Sequence, residues 1–155
     1  MRERDRDYGR LQDIIMASNN IIAFTDGHTL EELSVDKLRY FAVVKNVEII
    51  GEAAYMLTPE FKEAHQDIPW DDIIKMRHIL VHGYATILPE LLWHTALIDV
   101  PELKKIIDII QLEEDERKIA ALRSAIEEGE ASGYVEDFDA EAYLQEMKAR
   151  KKGKQ

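Results

Sequence analysis

The stretch IPWDDIIKMRHILVHGY, residues 68–84, carries the strongest signal for the fold. Behind Pro69 and a pair of acids, its apolar residues recur at the three- and four-residue spacing of an amphipathic helix. Acids favour the first turn of a helix, and glycine is common just beyond the last turn. The stretch therefore predicts a helix that begins at Asp71 and Asp72 and is closed by Gly83.

The same helical spacing recurs on both sides of this stretch. Four further helices are predicted through about residue 110, with signals at Gly27 (end of the first), Ser34 and Pro59 (N-cap and stop of the second), Pro89 (start of the fourth) and Asp99 (N-cap of the fifth). No segment alternates polar and apolar residues over the length of a strand. The sequence predicts an all-α protein, an up-and-down helical bundle with a helical C-terminal extension.

The C-terminal part differs from the bundle in composition. Residues 111–146 hold 12 acidic and 3 basic side chains, whereas residues 147–155 hold five basic and no acidic ones. A helix around residues 119–126 is expected to end within Gly129–Gly133, and Asp139 to cap a last helix. The few large apolar side chains cannot offset the ordering entropy of this part. We therefore expect a helical domain at residues 1–110 and an interaction segment at residues 111–155, which orders fully only on a partner.

Composition limits the function classes. The 155 residues include no Cys, so the chain has no disulfide and no Cys-ligated metal centre. No apolar run approaches the roughly 20 residues of a membrane span, and the charged N-terminus is unlike a signal peptide, so we expect no membrane association and a cytoplasmic protein. The net charge of −11 argues against a broad phosphate-binding surface. Any contact with RNA is expected to be local.

Three residues of the opening stretch form a chemical constellation. Arg77 is a permanent cation suited to phosphate, His82 titrates near neutrality, and Tyr84 adds a hydroxyl. RNA cleavage without a metal needs a base for the ribose 2′-OH and a cation for the phosphorane. Residues five apart on a helix lie roughly 140° from each other, so one helix does not bring Arg77 and His82 to one face. A homodimer resolves this, since two copies of the helix can share a cleft.

Simpler interpretations of these residues stay open. A helical arginine is often only solvated or paired, and a single histidine usually has no catalytic role. His78 and His82, four residues apart, could ligate a metal, but no third ligand has a suggestive spacing, so neither a metal site nor a cofactor is predicted. On the second predicted helix, Glu52 falls on the apolar face and Glu48 lies beside it, and these acids either pair at its rim or line a site.

The spacing Arg77-x4-His82-x-Tyr84 resembles the signature of HEPN ribonucleases of the HepT toxin type. The resemblance extends in order through EIIGEAA (48–54), IPW (68–70), MRHILVHGY (76–84) and VPEL (100–103), and covers about residues 8–110. It implies a helical dimer that cleaves RNA without metal, with Arg77 and His82 catalytic and Glu48, Glu52 and His78 as supporting residues. It also implies an MntA-type nucleotidyltransferase as antitoxin, which transfers AMP to the tyrosine matching Tyr84.

Residues 117–155 resemble a different family, the toxin-binding half of ParD-type antitoxins. The DNA-binding ribbon-helix-helix half of those antitoxins is absent here. This resemblance implies a ParE-type toxin as a partner of the tail. We therefore expect a ribonuclease toxin of a toxin–antitoxin pair, and the alternative is a noncatalytic dimeric binding module whose tail neutralises a ParE-type toxin.

Overall fold

The computed structural model describes residues 2–82, 88–133, 139, 141, 143 and 144, and all regular structure within them is helical. The helices are α1 (Arg2–Thr25), α2 (Leu30–Val35), α3 (Lys37–Met56), α4 (Pro59–Ala64), α5 (Trp70–His82), α6 (Pro89–His94) and α7 (Val100–Ala131), with a π-helical turn at Thr95–Asp99. The predicted all-α bundle is confirmed. The chain divides into two compact units, residues 1–116 and 117–155.

Helix α3 is the central element of the first unit, because it packs against both α1 and α5. Its buried side chains include Val43, Val47, Ile50 and Ala54. They meet fully buried residues from the other helices, namely Leu11, Ile14, Ile21, Leu33, Leu80, Leu92 and Ile107. Each fully buried Leu or Ile stabilises the fold by about 1.5–3 kcal/mol relative to an exposed one. This core fixes the position of α5 against α3.

The start of the second predicted helix is wrong. Ser34 is not an N-cap but lies inside the short helix α2, where its hydroxyl donates to the Leu30 carbonyl (2.8 Å). Helix α2 begins at a capping box in which Thr29 and Glu32 satisfy each other's backbone N–H groups, and the Thr29 N–H lowers the pKa of Glu32. Helix α3 takes Asp36 as its N-cap instead, with the carboxylate accepting from Arg39 N (3.1 Å).

The predicted break at Asp99 is also wrong. Asp99 ends the π-helical turn, and the Val100 N–H bonds to the Thr95 carbonyl, so α6 passes into α7 without a cap. The physical reason is Pro101, which lacks an N–H and whose ring crowds the carbonyl four residues before it. A π-helical turn just upstream widens the helix and accommodates the proline.

Helix α7 continues to Ala131, so the predicted separate helix around residues 119–126 is part of a longer one. It ends before Gly133, whose φ of +74° is the left-handed conformation expected beyond a helix, and this confirms the predicted end. Every residue from 117 to 133 is exposed. No described helix is long and apolar enough to span a membrane.

Helix α5 confirms the prediction from the opening stretch. It starts at Trp70, which is buried and donates its indole N–H to the His65 carbonyl (2.9 Å), and Asp71 and Asp72 occupy its first turn. Its last described residue is His82, and the predicted stop at Gly83 lies outside the described residues.

Candidate active site

Helices α3 and α5 are in close contact at Gly51. A Cβ atom added to this buried glycine would overlap Cβ of Arg77 and would lie 3.3 Å from both Arg77 Cγ and the Ile73 carbonyl oxygen. The missing side chain therefore lets the stem of Arg77 pack directly on the backbone of α3. This contact fixes the point at which the Arg77 guanidinium projects from between α3 and α5.

Arg77 is paired with Glu52, the residue next to Gly51. Its Nη2 lies 2.6 Å from Glu52 Oε2, and the two side chains are 28% and 48% exposed. A pair this exposed contributes about 0–1 kcal/mol to stability, so its main effect is to orient the guanidinium. The guanidinium has five N–H donors, and a single contact with one carboxylate oxygen leaves donors for a phosphate.

Glu48 lies one turn before Glu52 on α3 and pairs with Lys45 at 3.1 Å. The spacing of Lys45, Glu48 and Glu52 places all three on one stripe of the helix. Each of the two acids thus has a basic partner, Lys45 within α3 and Arg77 from α5. The sequence left open whether Glu48 and Glu52 pair at the rim of the helix or line a site. Glu48 pairs at the rim, whereas Glu52 pairs with Arg77, the predicted catalytic arginine.

The remaining predicted residues are placed as follows. His78 is exposed on α5 directly after Arg77. His82 is the last described residue of α5, its side chain lies outside the described part, and so does Tyr84. Within the described residues no three His, Asp or Glu side chains converge as a metal site requires.

Sequence reasoning missed Gly51 as a determinant of the site. The signal was present, because a glycine inside a helix weakens it and usually marks a close approach of another backbone or side chain. The contact between Glu52 and Arg77 was also not predicted, although both residues were singled out. They are 25 positions apart in the sequence, and only the packing of α3 on α5 brings them together.

Residues 14–110 match the model of the family described as "Ribonuclease HepT-like". The chain belongs to the HepT-like ribonuclease family. It is therefore an enzyme of the ribonuclease class, and the matched region contains Gly51, Glu52 and the Arg77-x4-His82-x-Tyr84 spacing.

Individual relatives agree with this assignment. The chain is 38% identical over 104 residues to "Probable ribonuclease HepT" of Thermococcus cleftensis, which covers 67% of this chain and 93% of the relative. It is 36% identical over 100 residues to "Putative RNase MJ1380" of Methanocaldococcus jannaschii, covering 64% of this chain and 92% of the relative. No solved structure matches the chain significantly.

A second family model matches the C-terminal part. Residues 107–152 match the family described as "Bacterial antitoxin of ParD toxin-antitoxin type II system and RHH". This match begins inside α7, where the HepT-like match ends, and includes the exposed residues from 117 to 133. The chain thus joins a HepT-like ribonuclease domain to a segment similar to ParD antitoxins.

Proposed function

We propose that this HepT-like protein is an endoribonuclease toxin of a toxin–antitoxin system, and that Arg77 and His82 perform the cleavage. The observation that supports this most is the setting of Arg77. The aliphatic part of its side chain packs on the backbone of Gly51, and its guanidinium pairs with Glu52. Arg77 also lies in the region that matches the ribonuclease family. An arginine that was only a solvated surface residue would not need a glycine beneath it.

The proposed reaction uses the RNA's own nucleophile. His82 takes the proton of a ribose 2′-OH, the 2′-oxygen forms a bond to phosphorus, and the bond from phosphorus to the 5′-oxygen breaks. The leaving 5′-oxygen takes up a proton, and the products are a 2′,3′-cyclic phosphate and a 5′-hydroxyl end. Arg77 stabilises the negative charge that develops on the phosphoryl oxygens. Base and cation both come from side chains, so the proposed step requires no metal. The need for a ribose 2′-OH restricts the step to RNA. We propose the cytoplasm as the location of the protein, because an RNA substrate is found there.

The proposed active unit is a homodimer. Arg77 and His82 stand five residues apart on α5, an arrangement that separates them by roughly 140° around one helix. The same helix exposes Ile79 and Val81, two apolar residues beside the motif. Exposed apolar side chains next to a site suit contact with a second copy, in which each α5 contributes to a shared cleft.

Tyr84 is the proposed control point, through modification by an MntA-type nucleotidyltransferase. The tyrosine oxygen would attack the α-phosphorus of ATP, with pyrophosphate leaving and the phenol proton going to solvent. The attached AMP would bring a negative phosphodiester two residues from His82, where it competes with RNA phosphate for Arg77.

The test is RNA cleavage by purified wild type, Arg77→Ala and His82→Ala, with analysis of the product ends. Each substitution is expected to lower the rate by about 10²-fold or more, with cyclic phosphate ends in the wild type. Lys75→Ala is a matched control, since Lys75 is an exposed α5 cation that pairs with Asp72. Equal loss in all three variants, or full activity in His82→Ala, contradicts the proposal.

A second function, capture of a ParE-type toxin, is favoured by the ParD-like match at residues 107–152. Helix α7 exposes more than half of Ile119, Leu122 and Ile126, which stand at helical spacing in that region. Such a stripe suits a partner's apolar groove, and the acids around it suit a basic partner. Ile119→Ser with Ile126→Ser should abolish capture of a coexpressed ParE-type toxin, whereas Leu38→Ser, an exposed residue of α3 outside the ParD-like match, should not. Capture by both variants contradicts this function.

A further inference from the structure

An exposed aromatic side chain lies on α3 close to the Arg77 site. Tyr55 is 57% exposed, while the two residues before it are buried. It follows Gly51 by four residues and Glu52 by three, so its Cβ atom lies one helical turn beyond both, at about 5–6 Å. Gly51 packs on the aliphatic part of Arg77, and Glu52 pairs with its guanidinium. Tyr55 is therefore the next exposed side chain of α3 beyond the proposed catalytic arginine.

The direction of α5 places Tyr55 on the side of Arg77 away from His82. In α4, Lys62 Nζ donates to the Tyr55 carbonyl (3.1 Å), and the adjacent Phe61 ring contacts the indole ring at the start of α5, with centroids 6.1 Å apart. Helix α5 thus starts at the end of α3 that carries Tyr55, and it runs back along α3 past Arg77 to His82. The last five residues of this path rise by about 7.5 Å.

The backbone that carries Tyr55 is held in place. Its carbonyl belongs to the last turn of α3, where carbonyl groups have no partner within the helix, and the Lys62 ammonium satisfies it. A tyrosine side chain has only two torsions to fix when a ligand packs on it. The ring of Tyr55 can therefore receive a flat ligand at a low cost in conformational entropy.

A ring in this position suits a nucleobase. Single exposed aromatic residues are common on protein surfaces, so the exposure of Tyr55 carries no argument without its position. Its position is next to a cation suited to phosphate, and in RNA a flat base is attached to the ribose on each side of a phosphate. Bases of single-stranded RNA stack on aromatic side chains, and this contact needs no positive charge. It therefore suits a protein with a net charge of −11.

We propose that Tyr55 is a stacking site for a nucleobase of the RNA substrate, namely the base that flanks the phosphate at Arg77 on the side away from His82. This proposal rests on the proposed RNA cleavage, because that reaction places a phosphate at Arg77. A base that is paired and stacked within a duplex cannot reach the ring, so the site selects single-stranded RNA.

The test measures binding of a probe of about six nucleotides in which every ribose carries a 2′-O-methyl group, because the proposed reaction needs a free 2′-OH and cannot cleave it. A fluorescein-labelled oligoadenylate is compared with an abasic probe of equal charge by fluorescence anisotropy, using the full-length protein. Wild type should bind the oligoadenylate at least about fivefold more tightly, since the abasic probe cannot stack. Tyr55→Ala should lose this preference, and Tyr55→Phe, which keeps the ring, should retain it.

Phe41→Ala is the matched control. Phe41 is also 57% exposed and lies on the same helix, but it precedes Tyr55 by 14 residues, or about 21 Å. This variant should keep the wild-type preference for the oligoadenylate. An equal loss in Phe41→Ala and Tyr55→Ala, or an unchanged preference in Tyr55→Ala, would overturn the proposal. A changed oligomeric state of Tyr55→Ala in sedimentation would also overturn it, because Tyr55 would then contact another subunit.

Cleavage kinetics separate this proposal from the proposed function. With a cleavable RNA, Tyr55→Ala should raise KM by about fivefold or more and change kcat by less than about twofold, because stacking is equal in the substrate complex and the transition state. Base-dependent binding at Tyr55 without RNA cleavage by wild type would contradict the proposed reaction and support the stacking site. Cleavage that depends on Arg77 and His82, with the same KM in wild type and Tyr55→Ala, would contradict the stacking site alone.

Discussion

Gly51→Ala tests whether the packing of α3 on α5 positions Arg77, the proposed catalytic arginine. The new Cβ would overlap Arg77 Cβ and lie 3.3 Å from the Ile73 carbonyl oxygen, which is backbone and cannot turn away. Arg77 or the whole of α5 must move by about 1 Å to restore an ordinary carbon–carbon contact.

Two energy terms of opposite sign decide how much Gly51→Ala changes the free energy of unfolding. Overpacking a buried site costs about 1–3 kcal/mol, while replacing a helical glycine by alanine gains up to about 1 kcal/mol. The free energy of unfolding should therefore fall by about 0–2 kcal/mol. A catalytic group displaced by about 1 Å can lose 10²-fold in rate, so RNA cleavage should fall far more than stability does.

Gly9→Ala is the matched control. Gly9 is also a helical glycine of the first unit, but a Cβ there meets no atom within 4 Å. It should gain about 0.5–1 kcal/mol in stability and keep wild-type cleavage. The assays are urea denaturation followed by circular dichroism and cleavage of a single-stranded RNA. If Gly51→Ala is as stable and as active as Gly9→Ala, the contact does not position Arg77 and this reasoning is refuted.

Three further predictions follow from single contacts. Glu52→Ala should lower kcat for RNA by about tenfold, whereas Glu52→Gln, which keeps an oxygen at the position that contacts Arg77 Nη2, should retain most of it; a fully active alanine variant would show that Glu52 does not position Arg77. Thr95→Val should raise the free energy of unfolding by about 1 kcal/mol, because a buried hydroxyl without a partner among the described residues is removed; a loss of stability in urea denaturation would contradict this. Tyr8 donates to Asp115 (2.7 Å), and this hydrogen bond raises the pKa of Tyr8 above its ordinary value of about 10. The bond therefore stabilises the fold below about pH 10 and is lost as the pH rises through the higher folded-state pKa. Wild type should be more stable than Tyr8→Phe at pH 8 and should lose that advantage above pH 10. A constant stability difference across this pH range would contradict the prediction.

The sequence was sufficient for features that depend on local signals. The helical period and the acids at Asp71 and Asp72 predicted α5, and the glycine at position 133 predicted the end of α7. One local signal was overlooked. Thr29 and Glu32 have the spacing of a capping box, but the N-cap was predicted at Ser34, which is nearer to the long apolar stripe.

Features that depend on packing could not be predicted from the sequence. Asp99 has the residue type and the downstream glutamate of an N-cap, but it lies in the π-helical turn that accommodates Pro101, because α6 continues into α7 without a break. The pairing of Glu52 with Arg77 depends on how α3 crosses α5. The cavity of about 390 Å³ lined by Ile50, Ile73 and Thr95 has no sequence signal, because its lining comes from three separate stretches of the chain.

The charge of the protein limits how it can bind RNA. With a net charge of −11 the surface as a whole repels the phosphate backbone, and the charge of Arg77 is opposed by Glu52 at 2.6 Å. Binding to single-stranded RNA loses about 0.7 of a log unit in affinity per tenfold rise in salt for each phosphate neutralised. A dimer that offers two Arg77 side chains would therefore show a slope near −1.4, far shallower than that of a basic RNA-binding protein. In the proposed dimer, recognition then rests on short-range contacts within the shared cleft, and an arginine whose position is fixed by Gly51 and Glu52 before RNA arrives suits such contacts.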